Sequence, residues 1–129
     1  MNSRTFFMIH GAIAIFFAAG LVMIPRGVAH IYGISAGPEA ALGFRYFGVA
    51  LLGVGLIFWL AKDTKDVEAR NAILGGAGIA NQVGLLVSLY GTTSGVMNVL
   101  GWSVVIIYAG LIAGCIHFDS SLLRSRGLR

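Results

Sequence analysis

Apolar residues in this chain fall into four long runs that are separated by short polar segments. The runs cover residues 5–24, 40–61, 71–90 and 98–118. A helix of about 20 apolar residues is long enough to cross the hydrocarbon core of a bilayer, and no alternating pattern indicates strands. The pattern therefore predicts an all-α integral membrane protein with four transmembrane helices that form one domain over residues 1–129.

The composition strengthens the prediction of membrane insertion. The chain is 57% hydrophobic and 11% charged, whereas a typical soluble domain carries about 25% charged residues. The connecting segments, at residues 25–39, 62–70 and 91–97, leave no room for a soluble domain. Because short connections join antiparallel neighbours, the four helices are expected to form an up-down bundle.

Positive charges concentrate at one end of the predicted bundle. The lysines and arginines at that end are Arg4, Lys62, Lys65, Arg70, Arg124, Arg126 and Arg129. The other end carries Arg26 and Arg45. By the positive-inside rule, both termini are expected in the cytoplasm. Since only the tail arginines cluster, the basic residues are expected to meet anionic membrane lipid rather than nucleic acid.

Pro25 is the first strong break in the helical pattern, because proline supplies no amide proton to the helix ladder. The following residues, 26–32, are expected to lie as a short interfacial segment on the outer surface. Pro38 and Glu39 then open the second helix, with proline in the first turn and an acid at the positive end of the helix dipole.

Small residues recur on one face of every predicted helix, as is typical of close helix packing in lipid. The positions expected at such contacts are Gly48, Gly55, Gly76, Ala80, Gly84, Gly110 and Gly114. The chain holds 19 glycines, more than one four-helix bundle needs. Some of these faces are therefore expected to meet another chain, or a pigment, a quinone or a lipid.

Arg45 is a cation inside the second predicted helix, where a central position costs about 2.5–3.5 kcal/mol. It lies about two turns from the outer end, so its side chain can extend to that surface. One interpretation is an anion or headgroup site formed with Arg26 and His30. The other is a clamp in which Arg45 binds Glu39 or a backbone carbonyl and fixes the outer end of the bundle.

Asn81 and Gln82 are adjacent amides near the midpoint of the third predicted helix. Successive residues point about 100° apart on a helix, so the two side chains do not face one neighbour. Asn81 shares the small-residue face and is expected to hydrogen-bond across the bundle. Gln82 is expected to face another helix or another subunit, and a polar pore lining is the alternative for both.

His10 and His117 both lie toward the predicted cytoplasmic side, on small-residue faces. Two facing imidazoles would ligate a haem or a metal, whereas the alternative is that each hydrogen-bonds to backbone or water near the interface. Cys115 points to a different face from His117, and no further intramembrane ligand accompanies the histidines. The sequence therefore predicts no metal site and requires no cofactor.

One stretch of the chain resembles a known group of proteins. It contains Pro25, Ile31-Tyr32-Gly33, Ala41, Arg45-Tyr46-Phe47-Gly48, Leu52-Gly53-Val54-Gly55-Leu56 and Trp59. This pattern is similar to small four-helix bacterial membrane proteins that are broadly DoxX-like. The resemblance implies a bacterial inner-membrane bundle, places Arg45 in a recurring pattern of the second helix, and assigns no catalytic residue.

These features favour a non-enzymatic inner-membrane protein, either a homo-oligomer or a small accessory subunit that packs against other transmembrane subunits. The alternative is a small oligomeric channel or transporter with Arg45, Asn81 and Gln82 near the path. A third hypothesis is a haem- or quinone-binding redox subunit that uses His10 and His117. No intramembrane carboxylate and no paired-cysteine redox site is present in the sequence, so coupled transport and catalysis are disfavoured.

Overall fold

The protein is all-helical in a computed structural model, which describes residues 1–119. The described residues form five helices, α1 (Ser3–Met23), α2 (Pro25–Ile31), α3 (Pro38–Ala61), α4 (Val67–Thr93) and α5 (Gly101–Phe118). All except α2 are long and apolar enough to cross a membrane, which confirms the predicted all-α class with four helices of spanning length. The tail arginines Arg124, Arg126 and Arg129 lie outside the described residues.

Capping side chains explain where the helices begin. Asn2 Oδ1 accepts a hydrogen bond from the amide of Thr5 at 2.9 Å, so α1 begins at Ser3. Asp66 Oδ1 accepts the amides of Glu68 and Ala69 at 2.9 and 3.2 Å. Because this cap satisfies the free amides of the first turn, α4 begins at residue 67 rather than at the predicted 71.

Pro25 ends the first long helix, as the sequence predicts. The amide of Ile24 donates to the carbonyl of Gly20 at 2.9 Å, and α2 begins directly with Pro25 in its first turn. The expected interfacial segment is therefore a short helix. Gly33, with a φ of 79°, follows α2 in the left-handed region that favours glycine.

The four long helices form two antiparallel pairs, α1 with α3 and α4 with α5. At the contact of the first pair, a Cβ built on Gly55 would lie 2.7 Å from Ile15 Cγ1 and 3.0 Å from the amide nitrogen of Ile15. In the second pair, Gly84 faces the ring of Tyr108. Helices in lipid associate through such close packing, because small residues let neighbouring backbones approach.

An apolar core joins the two pairs at the end of the bundle where Arg4 lies, which we call the Arg4 end. Its fully packed members are Phe6, Phe7, Phe58, Leu74, Leu111 and Cys115. Phe6 stacks on Phe118 with ring centroids 5.3 Å apart, and Phe7 lies 4.9 Å from Phe58. These contacts connect the start of α1 to the ends of α3 and α5. They bury large apolar area in favourable aromatic geometry.

The small residues singled out for helix packing fall into two groups. Those that contact a neighbouring helix are Gly48, Gly55, Gly84 and Gly114. Those exposed on the outside are Gly76, Ala80 and Gly110. A Cβ built on Gly76 or Gly110 would meet no atom of residues 1–119 within 4 Å. Within the described part of the chain, these faces of α4 and α5 are open to another molecule.

The contact at Gly55 gives a direct test of the α1–α3 packing. We expect Gly55→Ala to lower the free energy of unfolding by about 1–3 kcal/mol, because its methyl group would overlap Ile15 and the carbonyl oxygen of Gly11. The matched control is Gly53→Ala on the same helix, whose Cβ meets nothing within 4 Å among the described residues. Unfolding in mixed detergent micelles, followed by circular dichroism, measures both. Equal stability of the two variants would contradict this packing.

Candidate functional site

Arg45 lies at the other end of the bundle, which we call the Pro25 end, and it binds the backbone of α1. Its Nε donates to the carbonyl oxygen of Val22 at 3.2 Å. The last carbonyls of a helix lack amide partners within the helix, and Pro25 removes one further donor from this segment. Arg45 therefore supplies a hydrogen bond where the helix break leaves the backbone short of donors.

A groove of about 650 Å³ lies beside this contact and is open to the outside. It is lined by Met23, Ile24, Pro25, Arg26, Ala41 and Arg45, among others. The groove thus combines two guanidinium groups with apolar side chains, and its lining includes the junction of α1 and α2. Its electrostatic character is cationic.

Two further residues that the sequence places near Arg45 form no hydrogen bond or ion pair with it. Glu39 and His30 are exposed, and neither lines the groove. Glu39 Oε2 lies 3.6 Å from the position that a Cβ of Gly37 would take, close to the start of its own helix. Of the two clamps considered for Arg45, the contact formed is therefore the one to a backbone carbonyl.

Asn98 holds the Pro25 end together, although no motif in the sequence draws attention to it. Its Nδ2 donates to the carbonyl of Ile31 at 2.9 Å, and its amide donates to the carbonyl of Tyr32 at 2.8 Å. Its Oδ1 accepts the amide of Leu100 at 2.9 Å. Since Asn98 is engaged with the end of α2, α5 begins at Gly101 rather than at the predicted residue 98. The available signal was an asparagine just before an apolar run.

The two adjacent amides of α4 lie in different surroundings. Asn81 is buried, and its Nδ2 lies 4.0 Å from the sulfur of Cys115 on α5, with the geometry of a weak hydrogen bond. Gln82 is exposed on the outside of the pair. Its side chain forms no hydrogen bond with the described residues. The helical periodicity correctly separates the two side chains, and only Asn81 contributes to the α4–α5 contact.

The two histidines also lie in different surroundings. His10 is buried, with its ring centroid 3.8 Å from that of Phe58 and 5.8 Å from that of Phe6. His117 is exposed and lies edge-on to Phe118 at 4.7 Å. It lines a shallow groove at the Arg4 end, and His10 does not. The buried imidazole of His10 therefore does not share the groove that His117 lines.

Taken over residues 1–119, the polar groups favour binding of an anion more than assembly of a metal centre. No group of three or more histidine, cysteine, aspartate or glutamate side chains in this range is placed to hold a metal ion. Two cations, in contrast, share one groove at the Pro25 end.

Comparison with protein-family models, curated proteins and solved structures finds no match to this chain.

The role of Asn98 can be tested by hydrogen exchange. We expect Asn98→Ala to speed exchange of the Leu100 amide about fivefold or more, because it loses a hydrogen bond of about 1 kcal/mol. Asn98→Asp keeps the oxygen that accepts this amide and loses the donor to Ile31, so Leu100 should stay protected in that variant. Equal exchange of Leu100 in both variants would show that the Asn98 side chain does not protect this amide.

Proposed function

We propose that this chain is a small, non-enzymatic subunit of a bacterial cytoplasmic membrane that acts by lateral association with other transmembrane helices. Those helices belong either to further copies of the chain or to a larger complex. The observation that carries the proposal is the position of Gln82, a polar side chain that faces outward from the middle of a membrane-spanning helix.

Gln82 lies two residues from the midpoint of α4, or about 3 Å along the helix axis. It is exposed, and it has no hydrogen-bond partner among residues 1–119. An amide without a partner in a medium that cannot hydrogen-bond costs about 4–8 kcal/mol relative to water. A glutamine at this depth therefore favours a protein partner over lipid.

The surroundings of Gln82 suit a helix–helix contact. Ile79 and Leu86 lie one turn before and after it on the same face, and they are 68% and 66% exposed. A neighbouring helix would thus cover two large apolar side chains together with the amide. In a symmetric pair of copies, each Gln82 would donate a hydrogen bond to the other and accept one from it. This is possible because the side-chain amide has both an NH₂ donor and a carbonyl acceptor.

Open small-residue positions support the same proposal on another face of α4. Gly76 and Ala80 lie one turn apart and are both exposed. Small residues spaced by four let a second helix approach closely in lipid. The exposed glycine and the mid-span glutamine lie more than 100° apart around the helix, so α4 offers contact surfaces in more than one direction.

The proposed orientation rests on charge. The Arg4 end carries Arg4, Lys62, Lys65 and Arg70, and the Pro25 end carries Arg26 and Arg45. This asymmetry favours a cytoplasmic location for the α3–α4 loop and for both chain termini.

Gln82→Leu tests the association. We expect the protein extracted in mild detergent to form an assembly larger than one chain, and Gln82→Leu to reduce that assembly several-fold because the interhelical amide contact is lost. Gln82→Asn keeps the amide and should retain much of the assembly. Native mass spectrometry measures each species and distinguishes extra copies of the chain from a different partner.

The proposal fails if the native protein is strictly monomeric with nothing bound, or if Gln82→Leu assembles as well as the native chain. Circular dichroism on the same samples controls for folding, because a leucine at an exposed position of α4 leaves the described intrachain contacts intact.

Cysteine labelling tests the orientation. In a Cys115→Ala background, we expect Thr64→Cys in the α3–α4 loop to resist a membrane-impermeant maleimide in intact cells and to react after permeabilisation. Ser94→Cys, beyond the end of α4, should react in intact cells because it lies at the opposite end of that helix. The reverse labelling pattern would invert the proposed topology.

A further inference from the structure

Two arginines share the groove at the Pro25 end, and one of them is held in place. The Nε–H of Arg45 is bound to the carbonyl of Val22, which fixes one edge of the planar guanidinium group. Its Nη groups form no hydrogen bond with residues 1–119. Four N–H donors of Arg45 thus remain for a ligand.

No acidic side chain among residues 1–119 lines the groove to balance its positive charge. Arg26 lines the same groove as Arg45. Both ion pairs found among residues 1–119 lie at the Arg4 end, where Asp63 binds Arg4 and Lys62. Two like charges that share a partly apolar groove repel each other, and an anion between them would remove that repulsion.

The depth of Arg45 in the membrane indicates which type of anion the groove would bind. Arg45 lies seven residues after Pro38, or about 10 Å along the helix from its start. A long side chain at this depth extends its charge toward the membrane surface, which is the level of lipid phosphates. The groove wall also includes Met23 and Ile24, which are 76% and 60% exposed. These side chains are placed to contact an acyl chain.

We propose that this groove is a specific site for an anionic phospholipid of the leaflet at the Pro25 end. Arg45 binds the phosphate through two Nη–H groups in the bidentate geometry that guanidinium groups favour. Arg26 binds the same headgroup from the α2 side of the groove, and an acyl chain lies along Met23 and Ile24. The ligand thereby bridges α2 and α3 across the helix break.

Competition between two lipids in native mass spectrometry tests the site. The purified full chain is titrated with equal amounts of phosphatidylglycerol and phosphatidylcholine in detergent. We expect tight retention of one phosphatidylglycerol, and about tenfold weaker retention in Arg26→Gln and in Arg45→Gln, because each loses a charge-assisted contact. The matched control is Arg4→Gln, which removes one positive charge at the Arg4 end. This variant should retain phosphatidylglycerol as well as the native chain does.

Two further measurements separate the possible causes. Arg45→Lys keeps the charge and loses the bidentate geometry. Its retention of phosphatidylglycerol should therefore lie between that of the native chain and that of Arg45→Gln. Arg26→Gln leaves the contact between Arg45 and Val22 in place, which separates lost binding from a disturbed fold. Inorganic phosphate, added as a competitor, should not displace the lipid.

Three results would overturn the proposal. Native-like retention of phosphatidylglycerol by both glutamine variants would show that the arginines do not bind it. An equal loss in Arg4→Gln would indicate a general attraction of anionic lipid to positive charge. Displacement by inorganic phosphate would identify a site for the free anion instead of a lipid.

Discussion

The hydrocarbon core of a bilayer contains no water, so each polar group there requires a partner within the protein or in another molecule. At the Pro25 end, near the membrane surface, polar side chains supply such partners to the backbone where the helix is broken. The break at Pro25 leaves backbone carbonyls without helical partners, and Arg45 donates to one of them. Asn98 donates to the carbonyls of Ile31 and Tyr32, where α2 ends. Irregular backbone is thus tolerated where side chains from other segments supply the missing donors.

The four helices of spanning length could be predicted from the sequence, because the length of an apolar run indicates a helix long enough to cross a membrane. Their ends could not be placed to the residue. The start of α4 depends on Asp66, which lies in a charged loop and caps a helix that extends beyond the apolar run. The start of α5 depends on contacts of Asn98 with a segment more than 60 residues earlier, and such contacts leave no local pattern in the sequence.

The candidate sites were predictable only in part, because helical periodicity gives the face of a side chain and not its neighbour. It separates Asn81 from Gln82 correctly, yet it does not distinguish packed Gly84 from exposed Gly76. The sequence also left two acceptors open for Arg45, the carboxylate of Glu39 and a backbone carbonyl. In the structure, Arg45 donates to the carbonyl of Val22. The aromatic core around Phe6, Phe7 and Phe58 could not be predicted from the sequence. A phenylalanine within an apolar run is as hydrophobic as its neighbours, so the pattern does not show which side chains are buried.

Gln82 and the arginine groove lie on different helix pairs and at different depths, so binding at one leaves the other accessible. A partner helix on α4 would contact the pair that does not carry the groove. A phosphate held by Arg26 and Arg45 would instead connect the short helix α2 to α3 of the first pair. Because Pro25 interrupts the hydrogen bonds that would otherwise continue α1 into α2, this connection would help to hold α2 in place. A bound lipid would therefore act on the fold of the single chain, whereas a partner at Gln82 would act on its assembly.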